Sequence, residues 1–388
     1  MNAPANALAQ DARKRVLFVD HATALAGGEI SLLMLLEHLD RAQWEPHLAC
    51  FGGPLADRAA AQGIPVHLAP LPRLRRSWRA PVDLAAGART LARIVRHTGA
   101  DILVAFSVRA VIYAAPAALL TRTPYVWYRN DFWLGESEPR CAWLERAGKA
   151  LYCTLAAHVV ANSQATAQQQ PCGHKITVVH NGIRVQRFDP GMDGNVFRQE
   201  HGIPQDALVL GIVGRLNPIK GQDRFLRVLA HVLENAPDAW GLVVGGAIFG
   251  EDAYADGLLA LAKELGVAER VTFTGQLADP ALALAAMDLF VQPCDPEALG
   301  LVNLEAMAMG KAVVGYAQGS LPEIVVDGET GRLAPPGDEE ALARATSALL
   351  HDPALRAAWG RAGRARAEAC FDIRRMARQV SEVLQRAV

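Results

Sequence analysis

The stretch Gly211-Ile212-Val213-Gly214-Arg215-Leu216-Asn217-Pro218-Ile219-Lys220-Gly221 decides how this chain is read. The apolar run over residues 209–213 has the length of a buried strand and ends at Gly214, where the backbone can turn. Two cations, Arg215 and Lys220, follow five residues apart, and a helix is expected to start near Gly221. Backbone N–H groups, a helix N-terminus and two positive charges would then share one sheet edge, an arrangement suited to a diphosphate. A glycine turn after a strand is common, so this stretch alone also fits a plain strand–loop–helix with surface cations.

The same rhythm runs outward in both directions. Strands are expected at 16–19, 102–105, 125–128, 159–161 and 176–179 on one side, and at 242–244, 271–273, 289–291 and 312–314 on the other. Longer amphipathic stretches separate them, among them a helix over 29–39 that follows the loop Ala26-Gly27-Gly28. Short apolar runs alternating with helices imply parallel strands with helical cover. The 388 residues exceed one ordinary core. His180-Asn181-Gly182 and the polar stretch through Asp189-Pro190-Gly191 read as the link between two halves. The expected class is α/β, two Rossmann-like doubly wound domains facing each other across a cleft at their strand C-terminal ends. The boundaries are placed at 1–185 and 186–371, with a last helix over 372–388 crossing back to the first domain.

Hydrophobic residues make up 51% and charged residues 20%, which excludes a disordered chain. The net charge of −1 hides an asymmetry. Residues 1–190 carry 21 Lys and Arg against 14 Asp and Glu, or +7, and the remainder 18 against 26, or −8. No secretory signal and no apolar run of the ~18 residues that span a bilayer is visible. The six cysteines, scattered without CxxC spacing, are expected to be reduced thiols. The expected compartment is the cytoplasm.

A second stretch, from Pro293 to Gly310, carries Glu297 and Glu305 eight residues apart. Glu297 falls in the loop after a strand and Glu305 inside the next helix. Gly300 permits a close backbone approach where that helix begins, so the amides of Leu301 and Val302 can face a phosphate. One carboxylate can meet sugar hydroxyls and the other a ribose diol. The apolar neighbours Val302, Leu304, Ala306 and Met307 argue that this helix is mostly buried rather than a solvated acidic face.

Taken in order, Ala26-Gly27-Gly28-Glu29, His180-Asn181-Gly182-Ile183, Gly214-Arg215 with Lys220-Gly221, Glu297 with Glu305, Gly319 with Glu323, and Gly328-Glu329-Thr330-Gly331 resemble a known family. It is the large retaining family four of the GT-B glycosyltransferases (glycosyl transferases group 1), and the resemblance covers nearly the whole chain. It implies transfer of a sugar from a nucleotide-diphosphate donor to a glycan, lipid-linked or small-molecule acceptor, in cell-surface polysaccharide or glycolipid synthesis. It also implies roles. Gly27 and Gly28 let the donor diphosphate approach the backbone, with Gly214 and Gly300 on the other side. Arg215 and Lys220 hold the diphosphate as it leaves, Glu297 contacts the transferred sugar, and Glu305 holds the ribose hydroxyls. Configuration is retained by attack on the face the diphosphate leaves, so no side-chain nucleophile is needed.

One departure stands out. Many members carry a histidine after the fifth strand of the first domain, where this chain has Arg129-Asn130-Asp131. These three are the candidates for sugar or acceptor contact there, and the sequence leaves their division of labour open. His21, His158 and His174 lack metal-ligand spacing and no Asp-x-Asp motif is present, so neither metal nor cofactor is expected beyond the nucleotide-sugar co-substrate. A nucleotide-sugar epimerase on the same fold, or a non-catalytic nucleotide-sugar-binding subunit, remain the alternatives.

The cluster Arg73-Leu74-Arg75-Arg76-Ser77-Trp78-Arg79, with Trp127, Phe132, Trp133, Trp143, Arg140 and Arg146, interleaves cations with aromatics. That mixture suits peripheral contact with the inner membrane surface or an anionic glycan, and equally a solvated loop beside core aromatics. Nucleic acid is not expected, since net charge is near zero and no binding module is present.

Overall fold

The computed structural model describes residues 13–22, 25–72, 79–132, 142–247 and 252–388. Residues 73–78 of the basic cluster, Trp133 and Arg140 lie outside these, as does the side chain of Trp143. The chain divides into two compact units, Met1–Gly182 with Ile373–Val388, and Ile183–Asp372. The first division falls ahead of residue 185 for a simple reason. The Ile183 N–H donates to the Phe371 carbonyl at 2.9 Å, which ties it into the second unit.

The first unit is a seven-stranded, wholly parallel sheet in the order β3-β2-β1-β4-β5-β6-β7. The strands are β1 (Lys14–Val19), β2 (Trp44–Cys50), β3 (Val66–Leu68), β4 (Ile102–Ala105), β5 (Tyr125–Arg129), β6 (His158–Ala161) and β7 (Ile176–Val178). Helices α1 (Gly27–His38), α2 (Pro54–Ala61), α3 (Ala80–Thr98), α4 (Val108–Thr121), α5 (Ala142–Leu155) and α6 (Gln164–Gln168) connect them. β2 and β3 were not expected. β2 carries Glu45, Pro46 and His47, a polar run that hides the period, and β3 is a three-residue edge. Pro46 precedes the β2 residues that pair with β3, where a missing N–H donor is tolerated.

The second unit repeats the plan with six parallel strands in the order β10-β9-β8-β11-β12-β13. They are β8 (Leu208–Val213), β9 (Ala239–Val244), β10 (Val271–Phe273), β11 (Leu289–Gln292), β12 (Val313–Tyr316) and β13 (Gly331–Ala334). Their helices are α7 (Asn195–Glu200), α8 (Gln222–Leu233), α9 (Asp252–Glu264), α10 (Ala281–Ala286), α11 (Leu301–Ala308), α12 (Leu321–Ile324), α13 (Glu339–His351) and α14 (Pro353–Cys370). The edge strand β13 was also unforeseen, since four residues with Gly331 and Arg332 carry little pattern.

Helix α15 (Ile373–Ala387) belongs to the first unit and packs against α1, β5 and β6. Its buried residues Ile373, Met376, Ala377, Val380, Val383 and Leu384 recur every three or four positions, one stripe of an amphipathic helix. The Trp44 indole N–H donates to Ser381 Oγ at 2.8 Å, satisfying both buried polar groups.

The cysteines depart from expectation. Cys153 at the end of α5 and Cys172 ahead of β7 form a disulfide across 19 residues, while Cys50, Cys294 and Cys370 are free thiols. Sequence spacing cannot reveal such a pair, because the fold rather than a local motif brings the two together. Denatured without reductant, the chain should titrate at least two thiols fewer than the six it shows after reduction. Removing the cross-link should cost roughly 3 kcal/mol by loop-closure entropy, measurable by denaturant unfolding of Cys153→Ser with Cys172→Ser. Six free thiols in the unreduced protein would refute the pairing.

Candidate active site

In both units the strand order reverses beside the first strand, between β1 and β4 and between β8 and β11. Doubly wound sheets hold ligands outside the strand C-termini at such points. In the second unit the loops leaving β8 and β11 carry the predicted residues. β8 ends at Val213, and after Gly214-Arg215 a short 3-10 turn, Pro218–Lys220, precedes α8. The helix thus starts one residue beyond Gly221, which has φ +76°. A Cβ there would overlap the Pro293 carbonyl oxygen, so glycine is required for the two loops to touch.

Several contacts lock these loops together. The Lys220 ammonium donates to Glu297 Oε1, both groups being mostly buried. Asp295 N–H donates to the Ile219 carbonyl at 2.8 Å. Arg224 donates to the Pro293 carbonyl and to Asp295, at 2.8 and 2.9 Å. The fully buried Gln222 amide donates to the Arg215 carbonyl at 3.0 Å, fixing the cation-bearing turn from below. Burial, with Arg215 adding repulsion, pushes the Lys220 ammonium down to about 8. The Glu297 carboxylate against it favours the charged form.

Gly300 caps α11 with φ +76°, and a Cβ there would lie 2.7 Å from Glu297 Oε2 and from Asn303 Nδ2. Leu301 and Val302 form the first turn of that helix, half-buried. Arg215, Lys220, Glu297 and Gly300 are thus gathered in one place. Glu305 lies a turn further along α11. Burial raises its carboxyl to about 7, with Arg187 opposing and Asp279 adding to the rise. Arg187 and Asp279 pair with each other at 2.8 Å.

The first unit holds a different chemistry. Gly27 and Gly28 open α1, and a Cβ on Gly28 would meet nothing within 4 Å, so the backbone there is approachable. Glu29 Oε2 accepts from the Ala26 N–H at 2.8 Å and closes the helix start. Arg129 is fully buried, stacked over Trp127 at 5.1 Å and donating to the Asp131 carbonyl at 2.6 Å. Asn130 binds three neighbours. It donates to the Phe106 carbonyl at 3.2 Å, and its own oxygens accept from Asn162 and Asn181. Asp131 has its carboxyl raised, chiefly by burial.

Sequence reasoning missed Asp20, which follows β1 and is 1% exposed. Burial, then Glu29, then Asp131 hold its carboxyl up, to about 8. The only signal was a carboxylate closing an apolar strand. Next to it His21 shares a 2.7 Å hydrogen bond with Ser107, joining the ends of β1 and β4. Among the described residues no group of three or more His, Cys, Asp or Glu is arranged to hold a metal ion.

Comparison with known proteins places these motifs. Residues 25–187 match the profile described as Glycosyltransferase Family 4, and residues 193–366 that described as Glycosyl transferases group 1. The chain belongs to family four of the GT-B glycosyltransferases. A D-inositol 3-phosphate glycosyltransferase of Streptomyces avermitilis is 38% identical over 203 residues, 51% of this chain and 44% of that protein. A GDP-mannose-dependent alpha-(1-6)-phosphatidylinositol monomannoside mannosyltransferase of Mycolicibacterium smegmatis is 39% identical over 193 residues, 47% of this chain and 49% of that protein. The chain therefore spans about half the length of these curated relatives. The solved structure of Anabaena HepE with UDP-glucose is 26% identical with a TM-score of 0.81, covering 96% of this chain and 99% of HepE.

The two raised carboxyls give a prediction for this family four chain. Between their unfolded values near 4 and their folded values of about 8 and 7, the unfolded chain ionises Asp20 and Glu305 while the folded chain does not. Their ionisation therefore drains stability as pH rises through that window. Asp20→Asn and Glu305→Gln should each raise the Tm at pH 8, with the gain vanishing near pH 4. A gain of equal size at both pH values would contradict the assignment.

Proposed function

We propose that the chain is a metal-independent, retaining glycosyltransferase that moves a hexose from a nucleotide-diphosphate donor to a glycan or lipid-linked acceptor. One observation carries the reading, the pairing of Lys220 with Glu297 against Gly300, with Arg215 close enough to perturb the lysine. A cation for departing phosphate thus sits beside a carboxylate for sugar hydroxyls, at the N-terminus of α11. Relatives named for glycosyl and mannosyl transfer, and the HepE complex with UDP-glucose, support the donor class. In this reading Arg215 and Lys220 neutralise the diphosphate, the backbone at Gly214, Leu301 and Val302 approaches it, and Glu305 accepts hydrogen bonds from the ribose.

The reaction balances without an enzyme nucleophile. The bond between the anomeric carbon and the phosphate oxygen breaks, an acceptor oxygen bonds to that carbon, and the acceptor proton passes to the departing phosphate oxygen. Same-face attack is required for that proton transfer, which motivates retention. An epimerase would need no acceptor, and a pure binding subunit would have no use for cations poised on a leaving group.

Arg215→Ala and Lys220→Ala should each lower kcat far more than they weaken donor binding. Loss of such a transition-state contact costs ~2.7–4 kcal/mol. Steady-state kinetics checks this, and near-wild-type turnover in both variants would remove the assignment.

Retention has its own test, proton NMR of the first product formed. The coupling at the anomeric carbon should match that of the donor. An inverted product would mean that a first-unit carboxylate such as Asp131 acts as general base.

A further inference from the structure

We infer that Gln292 is a positioning residue for Glu297, and this rests on the donor-binding reading above. Gln292 is the last residue of β11, at the point where the strand order reverses, and is 1% exposed. Its side-chain amide donates to Glu297 Oε2 at 3.3 Å. The other carboxylate oxygen lies on Lys220, and the Cys294 thiol stands 3.9 Å from Oε2. Each oxygen of Glu297 therefore has its own donor.

Lys220 cannot hold Glu297 and serve a diphosphate equally well. When the ammonium turns toward phosphate, the carboxylate loses its strongest partner and would be free to rotate. The neutral amide of Gln292 has no such second duty, so it keeps Glu297 aimed as the donor enters.

The cost side of the same residue points to function rather than folding. Gln292 Oε1 is buried and has no hydrogen-bond partner among the described residues. An unpaired buried acceptor weakens a fold, and an apolar side chain of similar length would not carry that penalty. Asn303 repeats the pattern on α11. Its Nδ2 donates to the Gly300 carbonyl at 3.2 Å while its Oδ1, equally buried, is unpartnered among the described residues. Both amides spend their N–H on the Glu297–Gly300 turn.

The experiment compares Gln292→Met and the shorter Gln292→Asn with the full wild-type chain. Calorimetry measures binding of UDP, UDP-glucose, GDP and GDP-mannose, and thermal unfolding measures stability. Gln292→Met should unfold at or above the wild-type temperature and bind the nucleoside diphosphate as the wild type does. Both variants should weaken the nucleotide-sugar by about tenfold, the scale of one hydrogen bond to a charged group. In a Glu297→Gln background the Met substitution should change nucleotide-sugar affinity little, because its effect passes through Glu297. Unchanged nucleotide-sugar affinity in both variants overturns the inference. So does equal loss for diphosphate and nucleotide-sugar, or a full additive loss in the Glu297→Gln background. A wild type that binds none of the four probes would instead fail the donor reading, and this inference with it.

Discussion

The ion pair between Lys220 and Glu297 is the contact on which the second unit's site depends. Two charges mostly out of water are each costly alone, and each makes the other tolerable. Arg215 stands close enough to push the lysine toward its neutral form, so without a carboxylate the two cations would repel. The pair also has a mechanical effect. It joins the loop leaving β8 to the loop leaving β11, alongside the backbone bond from Asp295 to Ile219 and the steric fit of Gly221 under Pro293. The two loops that carry the cationic and anionic groups are thereby fixed to each other before any ligand arrives, so that only the Lys220 side chain has to turn toward a phosphate.

Local charge and gross charge run in opposite directions here. Residues 1–190 are basic in sum, yet Asp20 and Asp131 at strand ends and Glu29 in the first turn of α1 lie within electrostatic reach of one another. The remainder is acidic in sum, yet its site is built around Arg215 and Lys220. A count over 190 residues averages exposed surface, whereas the site is set by a handful of groups whose charges are magnified by burial. The asymmetry of the halves therefore says little about what binds at either strand edge.

What the sequence made legible follows from how strongly each element is patterned. β1, β4 and β8 are runs of apolar residues buried on both faces, and such runs announce themselves. β2 did not, because Glu45, Pro46 and His47 break its run, and β3 and β13 are too short to show a period. The catalytic candidates were legible because glycine, cation and carboxylate recur at fixed offsets from strand ends. Asp20 and Gln292 were not, since each is a single polar residue closing an apolar strand, and its meaning lies in how the fold turns it toward a neighbour, Asp131 and Glu29 for one and Glu297 for the other. The Cys153–Cys172 pair escaped because the fold, not a local motif, brings the two cysteines together.

Buried polar groups in this fold separate into two kinds, and the separation bears on function. Arg198 is buried with its guanidinium shared among the carbonyls of Ala286, Gln205 and Ala207 and the carboxylate of Asp288. Arg364 similarly binds the carbonyls of Val185, Phe188 and Ala308, and Glu368. Such groups are satisfied several times over and hold loops to helices. Gln292 and Asn303 are half-satisfied, and Asp20 and Glu305 are carboxyls whose ionised form the fold disfavours. Orphaning alone is no marker, since Ser31 and Gln170 also have buried side-chain atoms with no partner among the described residues. What distinguishes Gln292 is its other end. The amide that leaves one atom unpaired directs the other at the carboxylate tied to Lys220, so the fold gives up stability at the point where orientation decides the chemistry.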